Sequence, residues 1–349
     1  MDPAIILNRY APAAPPGGAA QPGFTLKLEP LPHRRYREAM FRIAQLHLRR
    51  RDHGVGGGLL LSGPSGFGKS TIARAYCAGF SRVHEAERTR VPVLLVSVPS
   101  SPTVRSLAGA MLEALGRRNT YRATAQEKTA WLYELIAKCD VELVLLDEFQ
   151  HLFYPPTIAA FRDLTDWLKN FLEVTKVGLV GCGLPVSERV VSGNEQLARR
   201  FSERLRLTPF SLDDAEDFSE FRGVLKAFGQ SLPMPCEVPL HEANLARRFH
   251  VASFGLLDYA VKILEGAVAA ASMAGLETLD LAAFAAGFRD RVWRDVPERL
   301  NPFLPESVLR TLDRPGEVFH LHTTQDPVGS PMARSMGLVP SRGGAHARK

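Results

Sequence analysis

The 349-residue sequence predicts an α/β fold, a parallel five-stranded sheet flanked by helices and followed by a small all-helical subdomain. Three observations lead there. Short apolar runs alternate with helix-period segments between about residues 33 and 208, the pattern of a parallel sheet covered on both faces. Gly63-Pro64-Ser65-Gly66-Phe67-Gly68-Lys69-Ser70 lies between the first of those runs and the next helix, and it matches G-x-x-x-x-G-K-[ST]. Beyond Pro209 the strand signal stops, and 213–228, 240–249, 254–274 and 279–294 all read as helices.

The elements follow in order. Tyr36, Met40, Ile43 and Leu46–His47 share one face of a basic amphipathic helix over about 33–52. Gly56-Gly57-Gly58 leads into a strand at 59–62, and a helix runs from Lys69 to about Gly79. A strand at 93–98 precedes helices near 103–115 and 126–139. The apolar run 141–146 is the third strand. Phe161, Leu164, Trp167–Leu168 and Phe171–Leu172 mark an amphipathic helix before a fourth strand at 177–181. A helix over 185–200 and a short strand at 205–208 complete the series.

Composition narrows the class. The net charge of +6 is distributed unevenly. Residues 1–57 carry 9 basic and 4 acidic side chains, 58–210 carry 19 and 15, 211–311 carry 10 and 15, and 312–349 carry 5 and 3. An acidic helical part therefore masks a basic arm and α/β part, where anionic ligands are expected. No run approaches the ~18 apolar residues of a membrane helix, and no secretory signal is visible. Cys77, Cys139, Cys182 and Cys236 are scattered without metal-ligand spacing, so reduced thiols in a cytoplasmic protein are expected. His241-Glu242 lacks the second His of a zinc motif. The expected organisation is a disordered Ala/Pro/Gly-rich tail (1–30), an α/β subdomain (31–210), a small all-helical subdomain (211–311) and a flexible basic tail (312–349).

The chemistry begins at the glycine-rich loop. Its backbone can wrap closely around phosphates, and the following helix N-terminus favours their charge. Lys69 is expected to reach the β/γ-phosphates, Ser70 to ligate Mg²⁺, and Thr71 to lie beside them in the cofactor site. The run Val141–Leu146 ends in Asp147-Glu148, at the strand edge where open α/β sheets bind ligands. Asp147 is expected to hold Mg²⁺ through water and Glu148 to polarise the attacking water. An acidic pair alone is a common polar turn; with the loop it reads as a site for ATP hydrolysis.

At these residues the chain resembles the AAA+ ATPases, and within them the transposition helper group called TniB or TnsC. The resemblance covers about Leu31 to Arg291. It rests on the loop, the Asp-Glu strand end, and a third segment, Val177-Gly178-Leu179-Val180-Gly181-Cys182-Gly183 with Asn194-Glu195-Gln196-Leu197-Ala198-Arg199-Arg200-Phe201. It implies that Arg200, with Arg199 as neighbouring candidate, acts as an arginine finger toward an adjacent subunit. The alternative is a solvated helix end favoured by the macrodipole.

The resemblance also implies a homo-oligomer, a ring or a helical filament, on the backbone of duplex DNA. Contacts are expected around Arg105 and at Arg117, Arg118 and Arg122, where an ordinary exposed loop is the competing reading. It implies a transposase as partner, with a further targeting protein as a second. The basic helix 34–51 suits an adenine-pocket element, a subunit contact or a DNA contact. Two departures, Cys182 where Thr or Asn is usual and Asp258 where a lid arginine is expected, point to slow hydrolysis or a nucleotide-gated switch.

The first functional reading is thus an ATP-dependent DNA-binding regulator of transposition. A helicase loader or replication initiator is the second, and a P-loop enzyme acting on a small molecule the third.

Overall fold

The computed structural model describes residues 24–26, 31–154 and 157–320. They divide into two compact units: 35–65 with 69–207, and 24–26, 31–34, 66–68 with 208–320. In chain order the first unit contains most of helix α1 (Arg34–His53), strand β1 (Gly57–Ser62), α2 (Lys69–Ala78), the two-residue strands β2 (Val83–His84) and β3 (Thr89–Arg90), and β4 (Val93–Ser97). There follow α3 (Val104–Ala114), α4 (Ala125–Lys138), β5 (Leu143–Asp147), a 3₁₀ turn (Phe149–Phe153), α5 (Ile158–Thr175), β6 (Gly178–Gly183), α6 (Ser187–Ser192), α7 (Glu195–Arg200) and β7 (Glu203–Arg206). The helical unit holds α8 (Ala215–Gln230), α9 (Ala243–Ser253), α10 (Leu257–Met273), α11 (Leu281–Arg291) and a 3₁₀ turn (Glu298–Leu300).

The five-stranded sheet has the order β4-β5-β6-β1-β7, with every neighbouring pair parallel. Its inner strands are buried runs because helices cover both faces: Leu59, Leu60 and Leu61 of β1 and Leu143–Leu146 of β5 are fully buried. On α5, Phe161, Leu164, Leu168, Phe171 and Leu172 form the buried stripe that the 3.6-residue period predicts. Its start is capped by Thr157, whose side chain accepts from the Ala160 N–H at 3.1 Å. Capping boxes at Thr103/Ser106 and Thr124/Glu127 begin α3 and α4. Phe149 and Phe201, both buried, pack with ring centroids 5.7 Å apart and join the 3₁₀ turn to the end of α7.

Four departures from the sequence reading have local causes. The single helix expected over 185–200 is two. Gly193 closes α6, and the Asn194 side chain accepts from the Gln196 and Leu197 N–H groups to start α7. The β2–β3 hairpin was not foreseen, since its two-residue strands carry no alternation to detect. Leu26, within the expected N-terminal tail, is buried, and its N–H donates to Glu265 Oε1 at 2.9 Å. Residues 312–320, assigned to the C-terminal tail, pack into the helical unit. Leu312 and Phe319 are fully buried, and the Phe319 ring lies against Phe254 and Tyr259 at 5.4 and 5.1 Å. Residues 1–23 and the basic segment 331–349 lie outside the described residues. No helix among the described residues is long and apolar enough to cross a membrane.

A buried polar chain fixes α1 to the sheet. His47 Nε2 lies 2.7 Å from Glu142 Oε2, and His47 Nδ1 lies 3.0 Å from the Tyr76 hydroxyl. Arg90 donates to Glu142 Oε1 and Asp140 Oδ2, each at 2.7 Å. Burial lowers the His47 pKa below its usual 6.5, against the hydrogen bond and charge of Glu142, which raise it. The folded state therefore binds this proton less readily than the unfolded chain. Stability is complete above pH 6.5 and falls as pH drops from there toward the lowered value. We predict a drop in thermal midpoint between pH 7.5 and 5.5 that is smaller in His47→Gln, read by melting curves at each pH.

Candidate functional site

The site grows from the carboxyl edge of the sheet. β1 lies between β6 and β7, and the chain leaving it is held from both sides. The Leu207 N–H donates to Ser62 O at 2.7 Å, and the Gly63 N–H donates to Gly183 O at 3.1 Å. The Ser62 hydroxyl donates to Glu188 Oε1 at 3.0 Å. Gly66 and Gly68 have φ of +78° and +82°, the left-handed region open to glycine, which lets successive amides converge on an anion. The loop then runs directly into the N-terminus of α2.

Lys69 opens that helix, buried, with Nζ donating to Gly63 O at 2.9 Å and Pro64 O at 2.6 Å. Burial pulls its pKa down, and the charges of Glu148 and Asp147 pull the other way. Ser70 Oγ donates to Asp147 Oδ1 at 3.1 Å, so the helix start and the end of β5 meet at two oxygens. A hydroxyl and a carboxylate are hard ligands that suit Mg²⁺, whose remaining positions water and phosphate oxygens can fill. Thr71 follows on the exposed side of the first turn.

Glu148 is held in an unusual backbone conformation, φ 57° and ψ 36°. Its N–H donates to Asp147 Oδ1 at 3.0 Å, and its Oε2 accepts from Gln150 Nε2. Thus Lys69 and Ser70 at the start of α2 come together with Asp147 and Glu148 at the end of β5, two segments distant in sequence.

Cys182, at the position expected to sense phosphate, is fully buried in β6 opposite Leu61. Burial pushes its thiol up to about 12, so it stays protonated and offers only a weak hydrogen bond. Asp258, in place of a lid arginine, pairs with Lys262 Nζ at 2.6 Å along α10. Just before α1, Leu31, Pro32 and His33 line an open cavity of about 240 Å³ with Val224 and Ala227.

The basic residues separate by what they do. Arg200 is exposed at the last turn of α7 and lies 3.5 Å from Glu173; Arg199 pairs with Glu195 at 2.6 Å. The exposed Arg105 guanidinium donates to Ala123 O at 2.8 Å and Tyr121 O at 2.6 Å, which pins the 116–124 loop. Arg117 stacks 3.8 Å above the Trp131 ring, and Arg122 lies 5.6 Å from the Tyr121 ring. Arg118 is exposed, next to Asn119 with φ 62°, and has no hydrogen bond or ion pair among the described residues.

Sequence reasoning missed Gln150 and Glu188. Both are ordinary polar residues after a strand and carry no motif. Only the two-residue spacing of Gln150 from Glu148 was available as a signal.

A glycine-rich loop, a lysine at the start of the following helix and an acidic pair on the edge of a sheet ordered β4-β5-β6-β1-β7 define a P-loop protein of the AAA+ class, with a helical unit after the sheet. The chain belongs to the TniB family: residues 30–211 match the family described as bacterial TniB protein. Among solved structures it is similar to the ORC2 protein of Aeropyrum pernix in its ADPNP-ADP complexes (17% identity, 79% of this chain and 71% of that one, TM-score 0.58). It is also similar to Cdc6p from Pyrobaculum aerophilum (14%, 80% and 74%, TM-score 0.56). A third likeness is to the ORC1 protein of Aeropyrum pernix in complex with DNA (18%, 78% and 67%, TM-score 0.54). At these identities the likeness shows the fold. No curated protein matches the sequence.

Gly183 is enclosed where the site's edge is tightest. A Cβ there would stand 2.2 Å from Ser187 Oγ, 2.8 Å from Gln150 Oε1 and 3.0 Å from Gln150 N. Gly183→Ala should destabilise the chain by about 1–3 kcal/mol, as overpacking of a filled site does. Urea unfolding checks this, with Gly223→Ala, where a Cβ meets nothing within 4 Å, as the control.

Proposed function

We propose that this TniB-family chain is an ATP-dependent regulator of transposition. It assembles as a homo-oligomer on duplex DNA, recruits a transposase, and disassembles on hydrolysis. The observation that carries the ATPase part is the meeting of Ser70 Oγ and Asp147 Oδ1 beside Lys69 and Glu148. The transposition part rests on family membership. In this reading 31–210 is the ATPase subdomain, 211–311 the lid, and the segments outside them carry further contacts, a targeting protein among the partners.

The loop amides and Lys69 bind and orient the triphosphate. Ser70 and Asp147 would hold a Mg²⁺ ion, which would supply screening of the phosphate charge. Glu148 takes a proton from the attacking water as its oxygen bonds to the γ-phosphorus and the bond to the β-phosphate oxygen breaks, giving ADP and phosphate. Arg200 of one subunit serves the γ-phosphate of the next. Cys182 supplies no strong polar contact, which favours slow turnover.

A second reading, helicase loader or replication initiator, draws on the likeness to ORC and Cdc6 folds. The TniB match favours the first.

The reading sets two expectations. Lys69→Ala should lose nucleotide affinity. Glu148→Gln should keep it while turnover falls by ~10²–10⁴-fold, the usual worth of general-base catalysis; phosphate release and fluorescent-nucleotide titration separate the two. For DNA, Arg117, Arg118 and Arg122 are the proposed phosphate contacts, positioned by Arg105. Replacing those three with Ala should flatten the log–log salt dependence of duplex binding by about 2–3, near 0.9 per lost contact. An unchanged slope sinks that assignment. Electron microscopy with duplex DNA and a non-hydrolysable ATP analogue tests the whole: rings or filaments support it, and a monomer indifferent to DNA ends it.

A further inference from the structure

Gln150 lies two residues past Glu148 and is buried, with 7% of its surface exposed. Its amide has two partners. Nε2 donates to Glu148 Oε2, and Oε1 accepts from the Leu184 N–H at 3.1 Å, at the residue that follows β6. The orientation of the amide is set by this pair. A flip would bring two donors together at Leu184 and two acceptors together at Glu148.

The turn that carries Gln150 is itself fixed. Phe149 and Phe153 are buried on either side of it, and His151 Nδ1 lies 2.9 Å from Val98 O, beyond the end of β4. The other end of the bridge is equally confined, since Gly183 leaves no room for a side chain beside Gln150 Oε1. Glu148 Oε1, by contrast, makes no hydrogen bond among the described residues. One carboxylate oxygen is tethered and the other is left to meet a water.

We infer that Gln150 is a positioning residue for hydrolysis: it aims the Glu148 carboxylate and locks that aim to the end of β6, the strand that carries Cys182. This rests on the ATPase reading above and deepens it. With a thiol at the sensing position, the polar link between that strand and the base runs through the Gln150 amide. Side-chain chemistry limits the alternatives. Asn is one methylene short of the same reach, and Glu can accept from Leu184 but cannot donate to Glu148 when ionised.

The test is steady-state ATP hydrolysis by the full chain with Mg²⁺ and duplex DNA. Gln150→Ala should lower kcat by ~10–100-fold, the scale of a misaligned catalytic group, with KM and fluorescent-nucleotide affinity changed less than about threefold. Gln150→Glu keeps the Leu184 contact and should lose kcat to a similar degree, even if Gln150→Ala proves unstable in a melting assay. In a Glu148→Ala background, Gln150→Ala should lower the residual rate no further, because the amide acts through Glu148. A wild-type kcat in both Gln150 variants overturns the inference, as does an equal loss with and without Glu148. If the wild-type chain hydrolyses no ATP, or Glu148→Gln leaves turnover unchanged, the ATPase reading itself falls and takes this inference with it.

Discussion

The parallel pairing of β1 between β6 and β7 is the constraint on which the site depends. In a parallel sheet every strand ends at the same edge, so register alone decides which residues meet there. Ser62 is level with Gly183 on one side and Arg206 on the other, and Asp147 reaches the same edge from β5. The loop is thereby launched from a point whose backbone groups are already bonded to both neighbours. A slip of one residue in β1 would turn its leucines to the other face and move the Gly63 carbonyl away from Lys69 Nζ at once.

The fold was legible because its signals are long-range and redundant. Uninterrupted apolar runs such as 143–146, caps such as Thr124/Glu127 and the stripe of α5 each point to one element type, and together they allow one layering. What escaped was decided locally or at a distance too great for periodicity. Asn194 divided a helix through a single side-chain cap. Phe319 was hidden in a stretch rich in Pro and Gly, where composition suggested a tail; three-dimensional contact with Phe254 and Tyr259 holds it instead.

Of the site, the motif residues were legible and their surroundings were not. Glycines, Lys69, Ser70 and the Asp-Glu pair announce themselves by spacing, since the chemistry of a phosphate demands those types in that order. Gln150 and Glu188 are defined only by what they touch. Arg105 shows another limit: a cation counted with a basic cluster also donates, from α3, to two carbonyls of the 116–124 loop. Charge can be counted from sequence, but whether a guanidinium is already engaged cannot.

The contacts of Lys69 have a consequence for how nucleotide recognition should feel energetically. Its ammonium already bonds two carbonyls of the loop that it serves, so it acts as a cross-brace as well as a cation. Recognition of a phosphate there is an exchange of acceptors, dipoles given up for an anion, and the net affinity is the difference between the two. The loop keeps its shape through the same side chain that will leave it. Removing the lysine therefore slackens the loop at the same moment that it deletes a charge, and the two effects cannot be separated by that substitution alone.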